Sequence, residues 1–145
     1  MEQSPQRGDA PYLSLIIPAY NEESRLGETL RIAADYLEAQ DYTWELLIVD
    51  DGSADGTLAL ANAFAAARPA LPIRVIANPH RGKAYSVRTG VAEARGKLVG
   101  FTDADLATPI DTLANALPHF ADGSDVVIGS REGVGAVRRD EPGYR

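Results

Sequence analysis

Lys97-Leu98-Val99-Gly100-Phe101-Thr102-Asp103-Ala104-Asp105 decides the reading of this chain. A short apolar run that empties into two carboxylates one residue apart reads as a buried strand with an anionic edge at its exit. Trp44-Glu45-Leu46-Leu47-Ile48-Val49 does the same, running into Asp50-Asp51. Charges left beside a core without a partner are costly, so paired carboxylates at a strand exit suit a divalent cation held against a diphosphate. Two such exits suggest one shared site.

Working outward, residues 13–17 form an apolar run closed by Pro18, a first strand. Asn21-Glu22-Glu23-Ser24 supplies cap residues for a helix with Leu26, Leu30, Ala33, Ala34 and Leu37 at helical spacing. Residues 46–49 are the second strand, residues 51–57 a turn, and residues 57–67 an alanine-rich helix ended by Arg68-Pro69. Residues 73–76 alternate and read as a less central third strand. A helix over residues 83–94 ends at Gly96, and residues 98–102 are the fourth strand. Pro109 stands where a helix-starting proline belongs, opening a helix to about Phe120. Asp125-Val126-Val127-Ile128-Gly129 reads as a fifth strand.

Strand and helix alternate, and most strands are uninterrupted apolar runs. That combination predicts an α/β fold, a mostly parallel sheet with helices on both faces. Ligands then bind beyond the carboxyl ends of the strands. The expected organisation is a loose tail over residues 1–11, a binding domain over 12–131 and a loose segment over 132–145.

The 145 residues suit one domain, and 45% hydrophobic content suffices for a core. A net charge of −7 argues against general nucleic-acid binding but leaves room for a nucleotide held by a few local cations and a metal. There is no cysteine, hence no disulfide or thiolate metal site. Residues 1–11 lack the apolar core of a signal peptide, and no apolar stretch reaches membrane-spanning length. The expected location is cytoplasmic, compatible with peripheral work at the cytoplasmic face of a membrane.

Each motif has a plainer reading. Asp103-Ala104-Asp105 alone would be a solvated turn capping the next helix; its strand context favours metal-assisted departure of a diphosphate. Asp50-Asp51-Gly52-Ser53 is equally a turn and an N-cap, or a carboxylate accepting hydrogen bonds from a base or ribose. Residues 51–62 imitate a calcium loop, but Asn62 replaces the bidentate glutamate at its twelfth position and a strand precedes it. Arg81-Gly82-Lys83 opens a helix and is either surface charge or a phosphate contact. It is not a P-loop, and no Gly-x-Gly-x-x-Gly follows the first strand. Arg131, after Gly129-Ser130, suits a bidentate phosphate contact or a surface ion pair. His80 and His119 receive no role, and Trp44 and Phe101 read as core.

With these residues in place, the chain resembles a family 2 glycosyltransferase of the GT-A, Rossmann-like fold. The resemblance rests on residues 14–23, on Val49-Asp50-Asp51-Gly52-Ser53-Ala54-Asp55-Gly56-Thr57, on residues 78–90, on Phe101-Thr102-Asp103-Ala104-Asp105 and on Val127-Ile128-Gly129-Ser130-Arg131. Within the family it is most similar to the dolichyl-phosphate β-glucosyltransferase group, through Asp103-Ala104-Asp105-Leu106-Ala107-Thr108-Pro109. The mannosyltransferase group usually carries a metal-binding Gln where Ala107 stands.

The resemblance implies a nucleotide-sugar donor, UDP-glucose ahead of GDP-mannose, and Mg²⁺ or Mn²⁺. Pro18, Ala19, Tyr20 and Glu22 would line the nucleoside pocket, with Asp50 facing the base and Asp51 nearby. Lys83 and Arg131 would meet phosphates. Asp103 would approach the ribose or donor sugar, Ala104 would lie beside it, and Asp105 would bind the metal with Asp103 as a second ligand. These two aspartates are the candidate catalytic pair. The implied acceptor is a polyprenyl phosphate at a membrane surface, glycosylated with inversion.

Family members continue well past Gly-Ser-Arg, so the chain is expected to be the donor-binding half, better at binding nucleotide than at turnover. A sheet left incomplete would expose apolar surface and favour self-association. The alternatives are a saccharide or other small acceptor, or a non-catalytic nucleotide-sugar-binding fragment.

Overall fold

Four parallel strands lie in the order β3-β2-β1-β4 in the computed structural model, which describes residues 9–129. The chain runs β1 (Leu13–Ala19), α1 (Leu26–Glu38), β2 (Trp44–Asp51), α2 (Thr57–Ala66), β3 (Ile73–Asn78), α3 (Lys83–Glu93) and β4 (Leu98–Phe101). A 3-10 turn (Ile110–Thr112) and α4 (Leu113–Ala121) follow. β1 pairs with β2 from Leu13↔Trp44 to Ala19↔Asp50, and with β4 from Leu13↔Leu98 to Ile16↔Phe101.

This order fixes where the helices go. From β1 to β2 to β3 the chain steps one way along the sheet; from β3 to β4 it returns past β1 to the other side. Right-handed crossovers taken in opposite directions place their helices on opposite faces. Accordingly α1 and α2 pack together, α2 against β2 and β3, while α3 packs against β1 and β2. The predicted parallel sheet with helices on both faces is the architecture found.

The core follows the apolar runs. Every residue of β1 is buried, as is every residue of β2 after Trp44. Ile16, Leu47 and Val49 cluster on one face, with Ile76 and Ala94 against them. On α1 the predicted Leu26, Leu30, Ala33, Ala34 and Leu37 are all buried, joined by Thr29. Each fully buried Leu or Ile contributes about 1.5–3 kcal/mol. On the outer side of α1, Arg31 bridges Glu28 and Asp35.

Three expectations are corrected. Phe101 is not core: it is 55% exposed on β4, which is an edge strand among the described residues, and Val99 shares its face. Residues 125–129 form no strand. An apolar run becomes a strand only through a ladder partner, and this one has none among the described residues, with Val126 and Ile128 78% and 82% exposed. Pro109 precedes a 3-10 turn, and α4 begins only at Leu113.

Among the described residues, those up to Ile110 belong to one compact unit and those from Asp111 to Gly129 to a second. Arg131, the segment 132–145 and residues 1–8 of the expected tail lie outside the described residues. Among the described residues no helix is long and apolar enough to cross a membrane.

Candidate active site

The change of crossover direction opens the sheet between the ends of β1 and β4, where a doubly wound sheet offers a crevice. A cleft of about 390 Å³ lies there, lined by Pro18, Ala19, Tyr20, Glu22, Asp51, His80, Gly82, Lys83, Asp103, Ala104 and Asp105. All come from the carboxyl ends of the four strands or the loops just beyond them.

The loops after β1 and β2 are stitched to one another. The Asn21 amide donates to Ser53 Oγ at 2.9 Å, and Asn21 Oδ1 accepts from the Ala54 amide at 2.9 Å. The Glu22 amide donates to Thr57 Oγ1 at 2.8 Å. Asn21 takes a φ of 50°, a left-handed position that asparagine tolerates better than most residues.

The two neighbouring carboxylates Asp50 and Asp51 do different things. Asp50, expected against the base, does not line the cleft; it is buried, and its Oδ2 accepts from the Ser53 amide at 3.1 Å. Asp51, on the opposite pleat, forms the cleft wall. Its carboxylate accepts from the amides of Arg81 (2.8 Å) and Gly82 (3.0 and 3.1 Å) and lies 3.0 Å from His80 Nδ1. A protein carboxylate therefore already occupies the amino end of α3, complementing its dipole. Lys83, the first residue of α3, is the cation that this loop adds to the cleft lining.

Gly52 lets the loops close. Its φ is +64°, and a Cβ there would sit 2.5 Å from the His80 backbone nitrogen. The His80 ring lies on the Tyr20 ring, centroids 4.2 Å apart and planes 15° apart.

At the other end, Lys83 Nζ pairs with Asp103. Asp105 Oδ1 accepts from the Ala107 amide at 3.0 Å. The intervening Ala104 is buried, and its carbonyl accepts from Thr29 Oγ1 at 2.5 Å. Arg25 pairs with Glu22. Its guanidinium is held above the ordinary arginine value, first by the Glu22 hydrogen bond and charge, with a smaller contribution from Asp105.

The charge balance tests the fit of a metal. Four carboxylates, Glu22, Asp51, Asp103 and Asp105, line the cleft against one lining cation, Lys83. Such a cleft takes a diphosphate only with added positive charge. Among the described residues no three His, Cys, Asp or Glu side chains converge as a self-sufficient metal cage. Two carboxylates completed by water and substrate phosphates are the donor set suited to Mg²⁺ or Mn²⁺, so the residues fit such an ion.

Of the residues singled out in the sequence, Pro18, Ala19, Tyr20, Glu22, Asp51, Lys83, Asp103, Ala104 and Asp105 converge on this cleft, and Asp50 does not. Thr29, Arg25 and His80 went unassigned. The position of His80 two residues before the helix-opening Gly82-Lys83 was the only local signal for it.

The family model for Glycosyl transferase family 2 matches residues 14–144. This chain belongs to that family. Among its curated relatives is a dolichyl-phosphate beta-glucosyltransferase of Drosophila melanogaster, 38% identical over 143 residues, covering 88% of this chain and 43% of the relative. The chain thus spans less than half the length of the curated relatives it matches. Among solved structures, a mannosyltransferase from Pyrobaculum calidifontis in complex with GDP-Man and Mn²⁺ superposes with a TM-score of 0.67 at 34% identity, covering 83% of this chain and 35% of that one. The glucosyl-3-phosphoglycerate synthase of Mycobacterium tuberculosis, with Mn²⁺, UDP and glucosyl-3-phosphoglycerate, superposes at 0.57 and 25% identity, covering 79% and 41%. The fold is GT-A, as the structural neighbours bear out.

Proposed function

We propose that this chain forms the donor side of a glycosyltransferase that moves glucose from UDP-glucose to a polyprenyl, dolichyl-type phosphate with inversion. The observation that carries the reading is the polarity of the cleft. His80 and Asp51 follow β3 and β2 on one side of the sheet, with Tyr20 stacked on His80; Asp103 and Asp105 follow β4 on the other side, where Lys83 pairs with Asp103. That is the order in which base, diphosphate and sugar follow one another in a nucleotide sugar. The dolichyl-phosphate glucosyltransferase relatives support the acceptor class.

Asp105 and Asp103 would hold the divalent ion, which supplies positive charge to a departing diphosphate. Lys83, already at Asp103, stabilises the same leaving group from the start of α3. An acceptor phosphate is anionic at neutral pH and needs no base. Its oxygen forms the new bond to the anomeric carbon from the side opposite the diphosphate. The old carbon–oxygen bond breaks with its electron pair leaving on the nucleoside diphosphate. In-line approach of this kind inverts the configuration.

Calorimetric titration of UDP-glucose with and without Mn²⁺, with Asp105→Ala and GDP-mannose as controls, tests the donor site. Metal-dependent binding of UDP-glucose, lost in Asp105→Ala, is expected; binding of neither nucleotide sugar would sink the reading. A second reading, transfer to a small anionic acceptor, is favoured by the likeness to glucosyl-3-phosphoglycerate synthase. Product formation on dolichyl phosphate or on a soluble phosphorylated acceptor separates the two.

A further inference from the structure

We infer that His80 is a nucleobase-positioning residue, the anchored half of a two-ring platform that it forms with Tyr20. The inference rests on the nucleotide-sugar reading above and extends it to a residue that motif reasoning passed over.

Three constraints hold the His80 ring. It lies on Tyr20 with centroids 4.2 Å apart and planes within 15° of parallel. Its Nδ1 sits 3.0 Å from Asp51 Oδ2 and 3.1 Å from the Asp51 carbonyl oxygen. Its backbone is pressed against Gly52, where even a methyl group would collide with it. Both groups facing Nδ1 are acceptors, so Nδ1 carries the proton and donates it, and the ring orientation is set. Asp51 is 3% exposed and fixed by the Arg81 and Gly82 amides, so the ring is anchored to a rigid base.

An exposed histidine side chain, 55% accessible, has no packing reason to be held this firmly. Its effect is on Tyr20, which is itself 43% exposed and would otherwise sample several rotamers. A fixed ring covers one face of the phenol, and the stacked pair lines the cleft with the other face left for a base. A nucleobase that stacks there meets a surface already ordered, so less freedom is lost on binding.

The test compares His80→Ala, His80→Asn and His80→Phe with the wild-type chain, titrating UDP and pyrophosphate in Mn²⁺ and checking each fold by thermal melting. Asparagine can keep a hydrogen bond to Asp51 without the ring; phenylalanine keeps the ring without the bond. Loss of base stacking corresponds to about a tenfold weakening. UDP affinity is expected to fall about that much in the alanine and asparagine variants, to stay within about threefold in the phenylalanine variant, and pyrophosphate affinity to hold in all three. The ring-current shift of the uracil H5 and H6 protons should shrink in step.

Unchanged UDP affinity in His80→Ala, or equal losses for UDP and pyrophosphate, overturns the inference while leaving the donor-site reading intact. Tighter UDP binding in His80→Ala also overturns it, since His80 would then occupy the base's own place. A phenylalanine variant as weak as the alanine one overturns the role of the ring. If the wild-type chain binds pyrophosphate but not UDP, or neither, the donor reading falls and this inference with it.

Discussion

Thr29 Oγ1 donates a 2.5 Å hydrogen bond to the carbonyl oxygen of Ala104, tying the first turn of α1 to the middle of the Asp103-Ala104-Asp105 loop. Thr29 is 4% exposed and Ala104 6%, so the bond is out of water. It holds the backbone between the two carboxylates that would take the metal.

Thr29→Val keeps the shape of the side chain and removes the donor. A buried carbonyl left unpaired costs about 1–3 kcal/mol. The melting temperature should fall accordingly, and Mn²⁺-dependent binding of UDP-glucose should weaken with it, whereas Thr29→Ser should keep most of both. Equal binding by the valine and wild-type chains would show that the loop holds its geometry without α1.

Asp51→Ala should disturb the opposite end of the cleft. It leaves the amides of Arg81 and Gly82 without their acceptor and His80 Nδ1 with the main-chain carbonyl of position 51 alone. A loss of about 2–4 kcal/mol in stability is expected, from a broken buried network around a charged group. Denaturant unfolding measures it. Asp51→Asn, which keeps one acceptor oxygen, should lose less than the alanine variant.

Gly52→Ala should destabilise by about 1–3 kcal/mol, because the residue sits at φ +64° and its new methyl group would lie 2.5 Å from the His80 nitrogen. Gly100→Ala is the control: among the described residues nothing stands within 4 Å of a Cβ there, and its effect should stay within about 0.5 kcal/mol. Thermal melts of the two variants side by side decide the matter, and equal shifts would refute it.

Glu45, near the amino end of the central strand β2, predicts a pH dependence away from the cleft. Burial raises its pKa, but hydrogen bonds from Ser14 Oγ (2.6 Å), the Arg95 amide (2.7 Å) and Arg74 (3.1 Å) outweigh burial and leave it below the usual 4.5. A group whose pKa is depressed by folding contributes stability that is complete above its unfolded value. That contribution is lost as the pH drops through the folded value. Glu45→Gln should therefore be less stable than wild type at pH 7, by about 1–3 kcal/mol, and the gap should close below pH 4.5. A gap that stays constant down to pH 3 would contradict this.

Much of the fold was legible because it depends on local pattern. The uninterrupted apolar runs at residues 13–17 and 46–49 mark strands buried on both faces, and β1 and β2 are the central pair. The alternation at residues 73–76 marked a lesser strand, and among the described residues β3 lies at the edge. The helical spacing from Leu26 to Leu37 gave the buried face of α1. The reading failed where a residue's state depends on a neighbour far along the chain. Val126, Val127 and Ile128 are apolar enough for a strand, but hydrogen-bond partners make a strand, and among the described residues they have none.

The candidate site divides in the same way. The sequence by itself determined which loops meet, since strand ends of a parallel sheet share one edge, and it placed the acidic pairs and Lys83 on that edge. Only the tertiary structure decided which member of Asp50-Asp51 faces the cleft. Successive residues of a strand point to opposite faces, and which face looks on the cleft depends on where the crossovers lay α1, α2 and α3. Likewise the bond from Thr29 to Ala104 and the stack of His80 on Tyr20 join residues 75 and 60 positions apart. No spacing rule reaches that far; such pairs exist only once the sheet has brought its strand ends together.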